Sequence, residues 1–409
     1  VLFGVERLIY NLDSEESLEF RREFMRKIKR MLSLLVVTSM VVASLAACGK
    51  KADSDVFYIG GIGPVTEGAA VYGQSVKNGA ELAVKEINAA GGINGKQIKF
   101  KFEDDVHDAE KSVNAYNTLK DWGMKILMGT VTSKPCAAVA AETFNDSMFQ
   151  LTPSASSTEV IKNGNVFQVC FSDPNQGIGS AQYIGEHALA TKVAVIYDSS
   201  DVYSTGIYEK FAEEAKNQAF EVVEVQAFTS ESNSDFSVQI QKAKDAGAEL
   251  VFLPIYYKEA ALILQQAASL DYAPTFFGCD GLDGILTVEN FDTALADGVM
   301  LLTPFAADAT DAATTKFVAD YKAAYNNEVP TQFAADAYDA IYILKAAIEK
   351  GDVTPDMSIA DINEALKTAM TQIQVDGLTG AAMTWNATGE VNKAPRAVVI
   401  QSGAYVAAE

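Results

Sequence analysis

The sequence predicts an α/β protein built of two doubly wound parallel-sheet lobes. Strand-like and helix-like segments alternate along the chain, the pattern of sheets covered by helices. The strand-like segments are short apolar runs without polar alternation, as parallel strands buried on both faces require. About 360 residues follow the N-terminal segment, more than one core organises, so two lobes are expected.

The first element is Val56–Ile62, an apolar run with β-branched and aromatic residues that reads as a buried strand. Gly60, Gly61, Gly63 and Pro64 read as the turn after it. From Gln74, the apolar positions Val76, Ala80, Ala83, Ile87 and Ala90 fall on one helix face. Glu81 stands four residues before Lys85 and is expected to pair with it on the opposite face. Gly91-Gly92 stops the helix, because glycine takes the left-handed conformation at little cost. Ile98, Phe100 and Phe102 alternate as in a strand, closing a right-handed βαβ unit. Further strands are expected at Lys125–Gly129, Phe149–Thr152, Val193–Tyr197, Leu250–Leu253 and Thr275–Gly278. Helical periods lie near Pro135–Asn145, Tyr203–Ala219, Asp235–Ala246, Lys258–Leu270, Ala313–Tyr325, Ala335–Glu349 and Ile359–Met370.

Several function classes are disfavoured at this level. The glycine-rich stretch after the first strand suggests a nucleotide loop, but Thr66 stands where a dinucleotide fingerprint needs its third glycine. Pro64 also removes an N–H that phosphates would use. The net charge of −22 argues against nucleic-acid or anionic-membrane binding through the folded body. Only two histidines, His107 and His187, occur, so no imidazole cluster for a metal or hydrolytic triad is expected. No cofactor is expected.

The N-terminal region carries an address. Arg26, Lys27, Lys29 and Arg30 precede an apolar stretch from Met31 to Ala47, which ends in Leu-Ala-Ala-Cys at Cys48. That layout is a secretory signal at residues 25–47. Its ending resembles a bacterial lipoprotein signal, which implies cleavage before Cys48, lipid on its thiol, and a polar tether over residues 48–54. Residues 1–24 sit ahead of the signal and are read as a non-native extension, with translation starting at Met25 or Met31. Of the remaining cysteines, Cys136, Cys170 and Cys279, an unpaired buried set is expected.

Ligands of open parallel sheets collect beyond the carboxyl ends of the strands. Those ends supply the candidate site. Ser133, before Lys134 and Pro135, suits a helix start whose free N–H groups could hold a carboxylate, and equally a plain cap. Ser154 and Ser156 follow another strand, and Ser156 with Glu159 also has capping-box spacing. Asp280 follows an apolar strand beside a glycine, where it could receive a cationic group or lie in a solvated loop. Tyr203 and Tyr256 could form walls with hydroxyl tips, or simply pack in the core.

From Asp55 almost to the C-terminus, the chain resembles the substrate-binding proteins of branched-chain amino acid ABC transporters. The resemblance is carried by Gly63-Pro64, Tyr72-Gly73, the Asn-Gly-Ala at Asn78, the run EINAAGGINGK from Glu86 to Lys96, and Asp104-Asp105. It implies a type I periplasmic-binding fold whose lobes are joined by a three-stranded hinge. The crossings would fall near Phe171–Asp173, Leu302–Pro304 and Asp376–Gly380. One lobe would comprise residues 55–172 plus 305–376, the other 173–304 plus 377–409. It implies further that Ser133 holds a ligand carboxylate, that Ser154 and Ser156 contact both ends of a zwitterion, and that Tyr203, Tyr256 and Asp280 complete the polar site. Asp280 would take the α-ammonium. Tyr72 and Phe333 would wall the ligand side chain. A disulfide that some members carry between two site loops is replaced here by His107 and Thr132.

The expected role is therefore a monomeric, lipid-anchored extracytoplasmic receptor that delivers a free amino acid, aliphatic or branched-chain, to ABC permease subunits. Two alternatives remain open: a different small solute such as an amide, an aromatic acid or a sugar; and a sensory receptor. An enzyme is not expected, since no convincing nucleophile and base stand in reach. Asp280 disfavours a neutral or purely anionic ligand. Cys279 is a poor nucleophile beside that aspartate, which would raise its thiol pKa.

Overall fold

Residues 55–408 are described by a computed structural model. The signal, the tether and Cys48 lie outside them. The first strand, β1 (Val56–Gly63), leads through a turn to α1 (Ala70–Ala89) and β2 (Gln97–Asp104). There follow α2 (Ala109–Trp122), β3 (Ile126–Gly129), α3 (Ser133–Asn145), β4 (Phe149–Thr152) and β5 (Val166–Gln168). These strands form one parallel sheet in the order β2-β1-β3-β4-β5.

The chain then crosses into α4 (Asp173–Glu186), β6 (Lys192–Asp198), α5 (Val202–Glu214), β7 (Glu221–Phe228), α6 (Ser237–Asp245), β8 (Leu250–Leu253), α7 (Tyr257–Ser269), β9 (Thr275–Gly278) and β10 (Met300–Thr303). After β10 it returns to the first sheet, where α8 (Ala312–Ala324), α9 (Gln332–Lys350) and α10 (Ile359–Met370) pack. It ends in the hairpin β11 (Arg396–Gln401) and β12 (Ala404–Ala407) on the second sheet. That sheet runs β12-β11-β10-β9-β8-β6-β7, parallel except for the antiparallel hairpin.

Local physics explains where the structure departs from expectation. Gly60 and Gly61 are not turn residues but lie inside β1. A Cβ on Gly60 would meet the Met124 side chain, and one on Gly61 the rings of Phe100 and Phe102. The glycines thus let large side chains lie across the strand. Glu81 pairs with Lys77 at 2.9 Å rather than with Lys85. Gly91 and Gly92 do adopt positive φ at the end of α1. Helices α1 and α9 pack closely, and Gly79 makes that possible: a Cβ there would lie 2.0 Å from the Ala334 carbonyl oxygen.

The chain passes between the two sheets after β5 and again after β10. The third crossing falls later than Asp376–Gly380. Leu378 and Thr379 still donate to Asp339 of α9, and Trp385 Nε1 donates to the Gln168 carbonyl. Lys393 is buried and binds Asp336 at 2.8 Å and the Val169 carbonyl at 2.9 Å. Backbone after Lys393 is therefore the first free to cross, and Pro395 already approaches Gly179 of α4. Cys136, Cys170 and Cys279 are buried free thiols.

Candidate functional site

The carboxyl ends of β3 and β4 face those of β8 and β9 across a slot. Its lining brings together Tyr72, Ser133, Ser154, Tyr203, Tyr256, Asp280 and Phe333, with Val131, Thr132 and Gly281 added. The space enclosed is about 10 Å³, room for roughly one water, so the slot is shut.

What shuts it is a set of bonds between the two halves. The Tyr72 hydroxyl donates to the Gly281 carbonyl and accepts from Tyr257 N at 3.3 Å. Gln332 donates to the Asp280 carbonyl at 2.7 Å, and its backbone N–H to the Asp283 carboxylate at 2.8 Å. Within each half, Tyr72 stacks on Phe333 with centroids 4.1 Å apart, and Tyr203 on Tyr256 at 4.9 Å. A ligand must part the Tyr72 and Gln332 bonds to enter, and can recover them with its own polar atoms.

One wall has the chemistry to hold an anion. Ser133 is the first residue of α3 and is buried. Thr132, not Ser133, occupies the cap position, and its side chain makes no capping bond. It meets His107 Nδ1 at 2.9 Å instead. The N–H groups of Ser133 and Lys134 at the start of α3 are thus left to a ligand, Pro135 having none, together with the positive end of the helix dipole. Ser133 Oγ accepts from Ser157 N at 3.2 Å, which aims its hydroxyl proton elsewhere. Ser154 Oγ donates to the Val131 carbonyl at 2.7 Å and is held in place by it.

The other wall carries a buried carboxylate. Asp280 is 4% exposed, and Oδ1 accepts from the Tyr203 hydroxyl at 2.8 Å. Tyr203 in turn accepts from Gly281 N at 2.9 Å. Burial is the main cause that pushes the Asp280 carboxyl up to about 7; the Tyr203 bond works against it, and Asp336 adds to it. Among the described residues no ion pair to Asp280 is formed, so an incoming ammonium would supply the counter-charge the buried carboxylate lacks.

Ser156 is placed differently from its neighbours. It is buried but does not line the slot, and its hydroxyl has no partner. The capping-box reading also fails, because Ser157 caps the short 3-10 turn at Thr158–Val160. Ser156 instead lies against Asp173, whose carboxylate oxygens are both unpartnered. Burial raises the Asp173 carboxyl well above its ordinary value, with the nearby Asp280 adding to it. Gln176 Oε1 accepts from Asp280 N at 3.2 Å. Sequence reasoning missed Asp173 and Gln176, although Asp-Pro at a helix start was a usable signal.

Two α/β lobes, each offering strand ends to one cleft, with an anion cradle on one side and a buried carboxylate on the other, define a receptor for a small solute. The chain belongs to the periplasmic binding protein family, whose model matches residues 56–404. It is 30% identical to the Leu/Ile/Val-binding protein BraC3 of Rhizobium johnstonii over 382 residues, covering 92% of this chain and all of that one. It is 28% identical to the leucine-, isoleucine-, valine-, threonine- and alanine-binding protein of Pseudomonas aeruginosa, covering 81% of this chain and 88% of that one. Among solved structures, the branched-chain amino acid transporter substrate-binding protein LivJ of Streptococcus pneumoniae, in complex with isoleucine, superposes with a TM-score of 0.78 at 28% identity. That match covers 87% of this chain and 99% of LivJ. The fold is thus the type I periplasmic-binding fold.

Proposed function

We propose that this protein is the extracytoplasmic solute-binding component of an ABC importer, and that it captures a free branched-chain or other aliphatic amino acid in its cleft for delivery to the permease. The observation that carries the reading is the opposition of Ser133, at an uncapped helix start, to the buried and unpaired Asp280. A zwitterion satisfies both at once, its carboxylate at α3 and its ammonium at Asp280. Neither an amide nor a plain carboxylic acid does so. Tyr72, Phe333 and Tyr256 then wall the aliphatic side chain, and closure follows from ligand contacts available only when the lobes meet.

A thermal-shift panel of the amino acids and their amides tests this. A cognate ligand at 100 times its Kd should stabilise the protein by ~2.7 kcal/mol. Absence of any shift with every aliphatic amino acid, Leu, Ile and Val included, would reject the assignment. The membrane attachment we infer through Cys48 is tested separately: Cys48→Ala should release the protein from the cell surface, and continued membrane association would refute it.

A further inference from the structure

Beside the shut slot lies a much larger cavity, about 500 Å³ in volume. The two are continuous in their walls. Tyr203 and Tyr256 line both. Thr132 of the slot is bonded to His107 of the cavity, so a polar contact partitions the two spaces. The His107 ring also meets the Tyr256 ring edge-on at 5.4 Å. An amino acid seated with its head at Ser133 and Asp280 would send a long side chain past Tyr256 into this cavity.

The cavity does not suit a purely aliphatic tail. Asp201 is 6% exposed and lines it, with Oδ1 accepting from Tyr203 N at 2.8 Å as the cap of α5, which leaves Oδ2 for a further donor. Glu259 and Asp198, partly buried, line it too, and exposed Asp108 lies at its edge. Glu259 has one neutral partner, Asn233 Nδ2 at 2.9 Å. The Tyr256 hydroxyl, shared with the slot, is out of contact with solvent and has no partner. The opposing cations, Lys134 and Lys258, are both exposed at the rim. Burial lowers the His107 pKa to about 4, so the ring adds no charge at neutral pH. Burial raises both Asp201, to about 6, and Glu259, as expected of carboxylates without a buried counter-ion.

We propose that the cleft accepts a second ligand class, amino acids whose long side chain ends in a cationic group, with that group held in the cavity by Glu259 and Asp201. The proposal rests on the reading of the head-group site given above. It extends the ligand range beyond aliphatic side chains without displacing them.

The test is calorimetric titration of the purified protein with L-leucine, L-norleucine and L-lysine, repeated with Glu259→Gln. Norleucine matches the lysine stem but lacks the ammonium. Lysine should bind within tenfold of leucine, and Glu259→Gln should weaken lysine at least tenfold while leaving leucine within twofold. Lysine binding more than 100-fold weaker than norleucine would overturn the proposal and leave the head-group reading standing. So would lysine binding that Glu259→Gln leaves unchanged. Failure of all three ligands would overturn the head-group reading itself, and the extension with it.

Discussion

Replacing Asp280 by Asn keeps the shape and the Tyr203 bond but removes the charge that the ligand ammonium would meet. The magnitude follows from the site. Burial lifts the carboxyl from 3.8 to about 7, which corresponds to roughly 4 kcal/mol against ionisation in the empty cleft. The ligand must return that energy for the ion pair to form, and a buried charge partner lost to mutation costs ~2–5 kcal/mol of binding. Asp280→Asn should therefore weaken a zwitterionic amino acid by about 30- to 5,000-fold. A pH signature accompanies the loss. The ionised carboxylate binds the ammonium, so affinity should be near its maximum above pH 7 and fall as pH drops through 7. Between pH 7.5 and 5.5 the wild type should weaken about 20-fold, following the ionised fraction of the free protein. Asp280→Asn should show no such slope. Isothermal titration at both pH values measures this. An Asn variant within threefold of wild type, or one that keeps the pH slope, would refute the assignment of Asp280.

Other consequences are equally open to measurement. The buried acids Asp105, Asp201, Asp280 and Asp283 all have carboxyls raised by burial, to about 7, 6, 7 and 6. A raised carboxyl favours folding below its unfolded value, and that contribution is lost as pH rises through its folded value. Urea stability of the ligand-free protein should thus fall from pH 5 to 7.5, by about 2 kcal/mol from Asp280 alone; a rise over that window would contradict the burial argument. Gly79→Ala, whose methyl would press on the Ala334 carbonyl at 2.0 Å, should cost at least ~2 kcal/mol in denaturant stability. An unchanged unfolding midpoint would show that α1 and α9 can separate freely.

Much of this architecture was legible in the sequence because local pattern and fold agreed. Leu250–Leu253 and Thr275–Gly278 are continuous apolar runs, and they are strands over those residues. Ile359–Met370 is a helix over the expected span, started by Ser358 donating its hydroxyl and accepting from Asp361 N. Helix α4 was not legible, since its three glycines lower helix propensity. Tertiary contact reverses that penalty: a Cβ on Gly177 would meet the Ile207 carbonyl oxygen of α5 at 2.4 Å, so glycine is needed where two helices touch. Helix α2 carried readable signals, the Asp108 cap and Gly123 at positive φ, but its apolar face is narrow. The half-buried edge strand β7 lacks a continuous apolar run.

The candidate site was legible to the extent that it sits at strand ends, which topology directs to one cleft. Ser133, Ser154, Tyr203, Tyr256 and Asp280 all follow that rule. Ser156 does not line the slot, because the chain turns it under the site toward Asp173. The role of His107 depends on contacts between distant segments, whereas Asp173 carried only the Asp-Pro helix-start signal, which does not reveal what its carboxylate faces.

The central claim is that one ligand is read at both charged ends. Titrating the protein with L-leucine, L-leucinamide and 4-methylpentanoate tests it most directly, since the last two each lack one end. Leucine should bind at least 100-fold more tightly than either derivative, about 2.7 kcal/mol for each missing end. Binding of 4-methylpentanoate within tenfold of leucine would contradict the account, because Asp280 would then hold no ammonium.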